Sequence, residues 1–342
     1  MQHFASDNNA GLCPEALAAL EAANQTGHET SYGDDRWTAE AKAQIARVLG
    51  TDCEVFFVFN GTAANALALA QVCQPFHAVI CHSLSHVDTD ESGAPEFFSG
   101  GAKLMTAEGE NGKLTPDAVH RLATRWDGFH HVKARALSLT QATEMGTVYA
   151  PAEVSALAAA ARGHGLAVHM DGARLANAVA RLGCDPADVT WKAGVDILSF
   201  GGTKNGLAVG EAVVFFDKAL ARDFEWRVKQ GGQLASKMRF VTAPWTALLT
   251  NGVWLRNALH ANEMAQRLAR GLATVRGTRL MFPVEANAVF ADIPPAIQAA
   301  VRAKGWRFYT FLGETGCRLM CAFDTAPETV DRFVADLRAA AG

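Results

Sequence analysis

The chain has 342 residues, 49% of them hydrophobic, which is enough to bury the core of a large domain and of a smaller second one. Its net charge of −4 comes from well-mixed acidic and basic residues, which indicates neither a nucleic-acid groove nor a membrane-binding face. No apolar run approaches the roughly 18 residues of a membrane-spanning helix, and the first residues lack the basic and apolar segments of a signal peptide.

The seven cysteines are scattered along the chain and form no Cys-x-x-Cys pair. That pattern is typical of reduced, mostly buried thiols and predicts no zinc or redox site. We therefore expect a cytoplasmic protein without a bound metal.

Apolar runs of strand length alternate with alanine-rich helical stretches, which predicts an α/β fold with a mostly parallel sheet covered by helices on both faces. The predicted elements are helices 14–25 and 38–49, strand 55–59, helix 62–72, strand 78–81, helix 115–125, strand 136–139, helix 151–164, strand 166–170, helix 174–182 and strands 196–200 and 212–216. Binding sites on such a sheet lie at the carboxyl ends of the strands.

Beyond Pro244 the pattern changes to one long helix, 245–275, followed by short elements at 287–293, 295–304, 317–323 and 327–341. We interpret this part as a small C-terminal α+β domain. The predicted domains are residues 1–250 and 251–342.

The first motif, Asn60-Gly61-Thr62-Ala63, ends a predicted strand and opens a predicted helix. Free amides there, together with the helix dipole, favour binding of an anion such as a phosphate. An ordinary strand-to-helix turn explains this motif equally well in isolation. The motif lacks the later glycines of the P-loop and dinucleotide fingerprints, which argues against a nicotinamide enzyme.

A second motif places Lys204 in a glycine-rich loop after strand 196–200, preceded by Ser199 and Gly201-Gly202, while Asp171 follows the neighbouring strand. Alone, Lys204 could be a surface lysine and Asp171 a helix cap. A lysine and a carboxylate at the ends of two apolar strands are instead the arrangement expected around pyridoxal phosphate, where the carboxylate pairs with the pyridine nitrogen.

Further charged residues fit an amino-acid substrate. Arg174, one turn after Asp171, and Arg318, before a strand of the small domain, could each bind a carboxylate. His86 could stack on a flat ring or carry a proton, although a polar loop with chance histidines is the alternative. His130 is a weaker candidate of the same kind.

Together with Tyr32-Gly33-Asp34-Asp35, these motifs resemble in order and spacing those of the threonine aldolases among the fold type I pyridoxal-phosphate enzymes. The resemblance extends over nearly the whole chain. It implies a fold type I transferase-like architecture with a mostly parallel seven-stranded sheet.

The resemblance also implies a role for each residue. It makes Lys204 the Schiff-base lysine, with Asp171 at the pyridine nitrogen and His86 stacked on the ring, and it implies retro-aldol cleavage of L-threonine and L-allo-threonine to glycine and an aldehyde. The remaining implied contacts are Gly61, Thr62 and Ser199 with the phosphate, Arg174 with cofactor and substrate, Ser6 and Arg318 with the substrate carboxylate, and Tyr32, Asp35, Asp90 and His130 with the rest of the substrate; Lys229, Gln233 and Lys237 are candidates for a phosphate contact across subunits.

Two departures resemble the low-specificity branch that also accepts phenylserines. Many family members carry Glu-Asn where Thr140-Gln141 stand here, and an extended loop after His86 contains Asp90. The resemblance implies a homotetramer, a dimer of dimers with shared active sites, whose partner is a small amino acid rather than nucleic acid or membrane. Other fold type I reactions, such as β-elimination or serine hydroxymethyl transfer, and a non-catalytic pyridoxal-phosphate-binding protein stay open.

Overall fold

A computed structural model describes residues 2–342 and contains a central seven-stranded sheet. The strand β1 (Gln2–His3) is not part of this sheet. The sheet consists of β2 (Glu54–Val58), β3 (His77–His82), β4 (Lys103–Ala107), β5 (Lys133–Thr140), β6 (Ala167–Gly172), β7 (Ile197–Phe200) and β8 (Glu211–Phe215). The strands lie in the order β2-β8-β7-β6-β5-β3-β4, and β8 is antiparallel to both of its neighbours. The predicted mostly parallel sheet is confirmed.

Helices cover both faces of this sheet. They are α1 (Pro14–Gln25), α2 (Arg36–Leu49), α3 (Gly61–Val72), α4 (His86–Thr89), α5 (Ala94–Ser99), α6 (Pro116–Ala123), α7 (Pro151–Arg162), α8 (Leu175–Leu182), α9 (Phe224–Gln230), α10 (Arg239–Leu249) and α11 (Val253–Leu272). Successive residues of one strand pack into hydrophobic clusters on opposite faces of the sheet. In β5, Ala136 belongs to one cluster and Leu137 to the other. Such two-sided burial explains why the strands read as continuous apolar runs.

The long predicted helix 245–275 is wrong, because the structure divides it into α10 and α11. Asn251 and Gly252 have positive φ angles of 53° and 69° between the two helices. An asparagine followed by a glycine adopts this left-handed conformation at low cost, whereas the apolar pattern continues through it and hides the break.

Two smaller predictions also differ from the structure. Helix α2 begins at Arg36 rather than at Thr38, because Asp35 is its N-cap and accepts a hydrogen bond from the Thr38 amide. Strand β4 was not among the predicted strands. It is an edge strand with exposed Lys103 and Thr106, so its sequence lacks the apolar run of its neighbours.

The C-terminal part has a second, antiparallel sheet with helices against it. Its elements are β9 (Arg279–Leu280), β10 (Ala288–Asp292), α12 (Pro295–Ala303), β11 (Trp306–Arg307), β12 (Tyr309–Leu312), β13 (Gly316–Met320) and α13 (Pro327–Ala341), with sheet order β12-β13-β10-β9. The start of the chain also belongs here: β1 pairs with β11, and Phe4 packs against Trp306 and Phe333. The predicted small α+β domain is confirmed, while its boundary at residue 250 stays a prediction.

The carboxyl ends of β2, β3, β5, β6 and β7 meet at one edge of the large sheet. Because β8 is antiparallel, its first residue, Glu211, lies at the same edge. His130 precedes β5 and therefore lies at the opposite edge. Among the described helices, none combines the length and the apolar composition that crossing a membrane requires.

Candidate active site

Asp171 lies near the end of β6 and is buried beside the central strands. Its carboxylate accepts hydrogen bonds from the Ala173 amide at 3.0 Å and from Asn65 Nδ2 at 2.9 Å. Burial by itself would raise the pKa of Asp171, but the charges of Lys204 and His86 and these two donors lower it instead. The site therefore holds a buried carboxylate that is ionised at neutral pH.

Lys204 lies in a tight turn directly after β7. Neighbouring residues on both sides of this turn fix its conformation. The amide of Gly202 donates to the buried carboxylate of Glu211 at 2.5 Å. At Gly201 a Cβ atom would overlap the backbone of Ala173, so only glycine allows the loop to lie against β6. The positive charge of Lys204 lowers the pKa of both Asp171 and Asp7, so the amine acts electrostatically on both of these buried carboxylates.

The amino end of α3 lies at the same edge. The side chain of Asn60 caps the helix by accepting from the Ala63 amide at 2.9 Å. Ala63 is therefore unavailable, and the amides of Gly61 and Thr62 are left as helix-terminal donors for an anion.

His86 is the first residue of α4, and its ring is held by a buried carboxylate. Nδ1 lies 2.8 Å from Glu91 Oε1, while Nε2 lies 3.7 Å from the exposed carboxylate of Asp90. The hydrogen bond that His86 donates to Glu91 raises the pKa of His86 despite burial, and the charges of Asp171 and Glu144 act in the same direction.

Arg174 is buried and already has a partner. Its Nε and Nη2 atoms donate to the two carboxylate oxygens of Asp7 at 2.7 and 3.0 Å. Burial opposes the charge of Asp7, but the ion pair with Arg174 dominates and lowers the pKa of Asp7 to about 2. Asn287 Nδ2 donates to the same carboxylate at 3.0 Å. The guanidinium of Arg174 is therefore already fixed in place by Asp7 when a ligand binds.

Arg318 has no carboxylate partner within residues 2–342. Its Nε atom is buried without a hydrogen bond there, and its guanidinium lies 5.5 Å from the ring centre of Tyr309 and 5.1 Å from that of Phe311. Burial and the nearby Arg174 both lower the pKa of Arg318, because each disfavours its charge. An anion is the group that this site lacks.

Ser6 and Ser199 are engaged differently. The Ser6 hydroxyl accepts from the Asn8 amide at 3.2 Å, in a turn that packs against the Lys204 turn. The Ser199 hydroxyl is buried and lies 3.0 Å from His169 Nε2, whose other nitrogen lies 2.9 Å from the Ser138 hydroxyl. The predicted phosphate contact of Ser199 would have to share this buried hydroxyl.

Of the remaining predicted residues, only Asp90 lies beside this group within one chain. Tyr32 is half exposed with φ 58° and lies under the Lys229 ammonium, and the Asp35 carboxylate is occupied as the cap of α2. Asp90 is exposed beside His86. His130 lies at the opposite sheet edge, next to exposed Phe129.

Five residues of the site were not assigned a role from sequence: Asn65, Glu91, Asp7, Glu144 and Glu211. A signal existed for Asn65, since it is a buried polar residue in the otherwise apolar helix α3. Glu144 lies in the loop after β5, and its charge raises the pKa of His86 and Arg174 and opposes the lowering of the pKa of Arg318. Neither its sequence position nor that of Glu91 distinguishes it from other acidic residues.

These residues fit pyridoxal phosphate. The ionised Asp171 suits a protonated ring nitrogen, the amides of Gly61 and Thr62 suit a phosphate, and Lys204 lies at the same sheet edge. The half-buried Arg318, which has no carboxylate partner among residues 2–342, adds a place for an amino-acid carboxylate.

Comparison with solved structures first defines the class. Aspartate aminotransferase from Thermus thermophilus superposes with a TM-score of 0.73 at 16% identity, covering 99% of this chain and 91% of that one, which shows the fold alone. The threonine aldolase of Leishmania major superposes with a TM-score of 0.94 at 28% identity over 100% of both chains. The fold is that of the fold type I pyridoxal-phosphate enzymes.

The family follows from sequence. The model for the β-eliminating lyase family matches residues 3–294. A low-specificity L-threonine aldolase from a Pseudomonas strain is 57% identical over 99% of this chain and 97% of its own length, and that of Pseudomonas aeruginosa is 57% identical over 100% and 98%. The chain belongs to the low-specificity L-threonine aldolases, carbon-carbon lyases that depend on pyridoxal phosphate.

Proposed function

We propose that this enzyme cleaves L-threonine, L-allo-threonine and related β-hydroxy-α-amino acids such as phenylserine to glycine and an aldehyde, and that it runs reversibly. The observation that carries the proposal is the half-buried Arg318, which has no carboxylate partner among residues 2–342, at the site that holds Asp171 and Lys204. Its relatives named low-specificity L-threonine aldolases support the same reaction. Bound pyridoxal phosphate supplies an electron sink next to Cα.

The cofactor is held by residues of three elements. Asp171 would pair with the ring nitrogen, and it stays ionised and oriented because Ala173 and Asn65 donate to it. Gly61 and Thr62 would bind the phosphate at the start of α3, and Lys204 would hold the cofactor covalently.

Arg318 binds the substrate carboxylate, and Arg174 and Ser6 lie beside the bound carboxylate. Arg174 is fixed by its two hydrogen bonds to Asp7, so it contributes a stationary charge while Arg318 supplies free donors. A carboxylate fixed in this way would fix the orientation of the bonds at Cα, and that orientation selects the bond that breaks.

His86 accepts the proton of the β-hydroxyl group, directly or through one water. Glu91 holds Nδ1, so Nε2 is the nitrogen that exchanges this proton. Weak discrimination at Cβ follows if hydroxyl groups of either configuration reach the histidine, which makes L-threonine and L-allo-threonine both substrates. A water or the cofactor phosphate is the alternative base.

We infer a homotetramer, a dimer of dimers, in the cytoplasm. His130 lies at the opposite sheet edge from Lys204, so it reaches a site only in a neighbouring subunit, and the exposed Tyr32 and Phe129 favour such contacts. The seven unpaired cysteines of the described chain favour a reducing compartment. We also propose the domain division at residue 250, where α10 ends and the chain turns into α11.

The test compares wild-type enzyme with Lys204→Ala and with Lys192→Ala, an exposed lysine paired with Asp188 on the surface. We expect wild type and Lys192→Ala to carry a visible cofactor band and to release glycine and acetaldehyde from both L-substrates, and Lys204→Ala to lose the band and the cleavage. A band without cleavage would reject the aldolase assignment.

A second reaction is β-elimination, which the name of the matching family model favours. It releases pyruvate and ammonia from L-serine or β-chloroalanine, whereas aldol cleavage releases glycine and an aldehyde. Measuring all four products with one enzyme preparation separates the two reactions.

A further inference from the structure

A chain of buried hydrogen bonds connects His86 to Asp171. Asn65 Nδ2 donates to Asp171 Oδ2 at 2.9 Å and to Glu91 Oε1 at 2.8 Å, and Glu91 Oε1 lies 2.8 Å from His86 Nδ1. The side chain of Glu91 is 0% exposed, although a carboxylate in that position loses its hydration. The burial of this carboxylate therefore suggests that its charge stabilises the neighbouring polar groups.

Asn65 determines which atoms donate and which atoms accept along this series of hydrogen bonds. Its amide lies between two carboxylates, so both contacts require the nitrogen rather than the oxygen, and Nδ2 then has no further hydrogen to donate. Asn65 Oδ1 and Glu91 Oε2 are buried with no hydrogen-bond partner among residues 2–342. Burial raises the pKa of Glu91, whereas the two donors at its Oε1 atom, His86 Nδ1 and Asn65 Nδ2, stabilise the ionised form.

An ionised Glu91 determines the state of the histidine. Its Oε1 atom accepts only, so the Nδ1 atom of His86 carries a hydrogen and donates it. Other charges face the same ring: Asp90 follows it in the loop, Asp171 approaches from β6, and Glu144 approaches from the loop after β5. Of these carboxylates, Glu91 alone is within hydrogen-bond distance of the ring.

We propose that Asn65 and Glu91 are positioning residues that hold the Nδ1 hydrogen of His86, leave Nε2 as the nitrogen that exchanges a proton with the substrate, and tie the orientation of this ring to Asp171. The inference rests on the proposed role of His86 and extends it. Glu91 then acts through His86, and removal of its charge alters the proton chemistry of the histidine before it alters substrate binding.

The test uses Glu91→Gln, which retains the shape of the side chain but removes its charge. The matched control is Asp88→Asn, which removes an exposed carboxylate from the same helix α4 without a contact to His86. The pKa of each histidine is measured by hydrogen–deuterium exchange at the imidazole carbon, read by mass spectrometry, with and without bound cofactor. We expect the pKa of His86 to fall by about one unit in Glu91→Gln and to stay unchanged in Asp88→Asn.

Kinetics provide the second measurement. In Glu91→Gln we expect kcat to fall about tenfold with little change in KM, because proton transfer is impaired and carboxylate binding is not. The acid limb of the kcat profile should move down with the pKa of His86. In the His86→Asn background, Glu91→Gln should have no further effect on kcat, since a residue that acts through another is not additive with it.

Three results would overturn the proposal: an unchanged pKa of His86 in Glu91→Gln, an unmoved acid limb, or additive losses in the double variant. The exchange measurement needs no turnover, so it decides the inference even if the aldolase reaction itself is not found. If Glu91→Gln does not fold, Glu91→Asp replaces it: the shorter side chain draws the carboxylate away from Nδ1, and an unchanged pKa of His86 in that variant would overturn the proposal.

Discussion

At the scale of single residues, the two candidate carboxylate ligands have opposite environments. Arg174 is neutralised by a bidentate ion pair with the buried Asp7, whereas Arg318 lies against Tyr309 and Phe311 with no anion. Leaving a half-buried guanidinium unpaired costs stability, and a substrate carboxylate would relieve that cost. Substrate binding should therefore depend more directly on Arg318.

We predict that Arg318→Gln raises KM for L-threonine about 10- to 100-fold, because hydrogen bonds to charged groups contribute about 1.5–3 kcal/mol. The cofactor band and the unfolding temperature should stay close to wild type, since no described ion pair is lost. Steady-state kinetics and thermal unfolding measure the two effects. Arg307→Gln, an exposed arginine on β11, is the control, and an equal KM in both variants would reject the role of Arg318.

At the scale of elements, helix α2 shows how one side chain can have a structural role where a binding role is predicted. The carboxylate of Asp35 accepts from the amide and the hydroxyl of Thr38, and Thr38 contacts Thr242 of α10 at 3.1 Å. These bonds complete the first turn of α2 and join it to a second helix. A substrate contact of Asp35 would have to compete with them.

We predict that Asp35→Ala lowers the free energy of unfolding by about 1 kcal/mol, the usual cost of a lost N-cap, and leaves KM unchanged at temperatures where the variant is folded. Asp34→Ala, which removes the exposed neighbouring carboxylate, should change neither quantity. Denaturant unfolding and kinetics provide the measurements. A raised KM with unchanged stability would instead place Asp35 at the substrate.

At the scale of the whole molecule, the site of one chain brings together the cofactor ligands but not every predicted substrate contact. Asp171, Lys204, Arg318 and His86 converge at the carboxyl ends of the strands. His130 comes from the other edge of the same sheet. The shared site that we propose would resolve this separation, because a symmetric dimer can place one edge against the other.

We predict that mixing inactive Lys204→Ala subunits with impaired His130→Ala subunits restores activity. In hybrid dimers one of the two sites has both wild-type residues, so about a quarter of all sites recover after random exchange. The recovery should require unfolding and refolding of the mixture, and Lys204→Ala refolded alone is the control. A mixture no more active than the sum of its parts would contradict shared sites.

Much of the fold could be predicted because local pattern and global structure agree. The strands with buried side chains on both faces read as apolar runs, as in β3 and β6. The edge strand β4 and the break at Asn251–Gly252 were missed for opposite reasons. One lacks the apolar pattern because it is half exposed, and the other lies within an apolar pattern that continues across it.

The sequence by itself determined the class of fold and the positions of Lys204, Asp171 and Gly61, because these residues follow strands and the carboxyl ends of parallel strands share one edge. Only the tertiary structure decided which groups are paired: Asp7 pairs with Arg174 and Glu91 pairs with His86, whereas Arg318 has no carboxylate partner among residues 2–342. Burial and hydrogen bonding set the charge state and orientation of each group, and both depend on contacts between residues far apart in the chain.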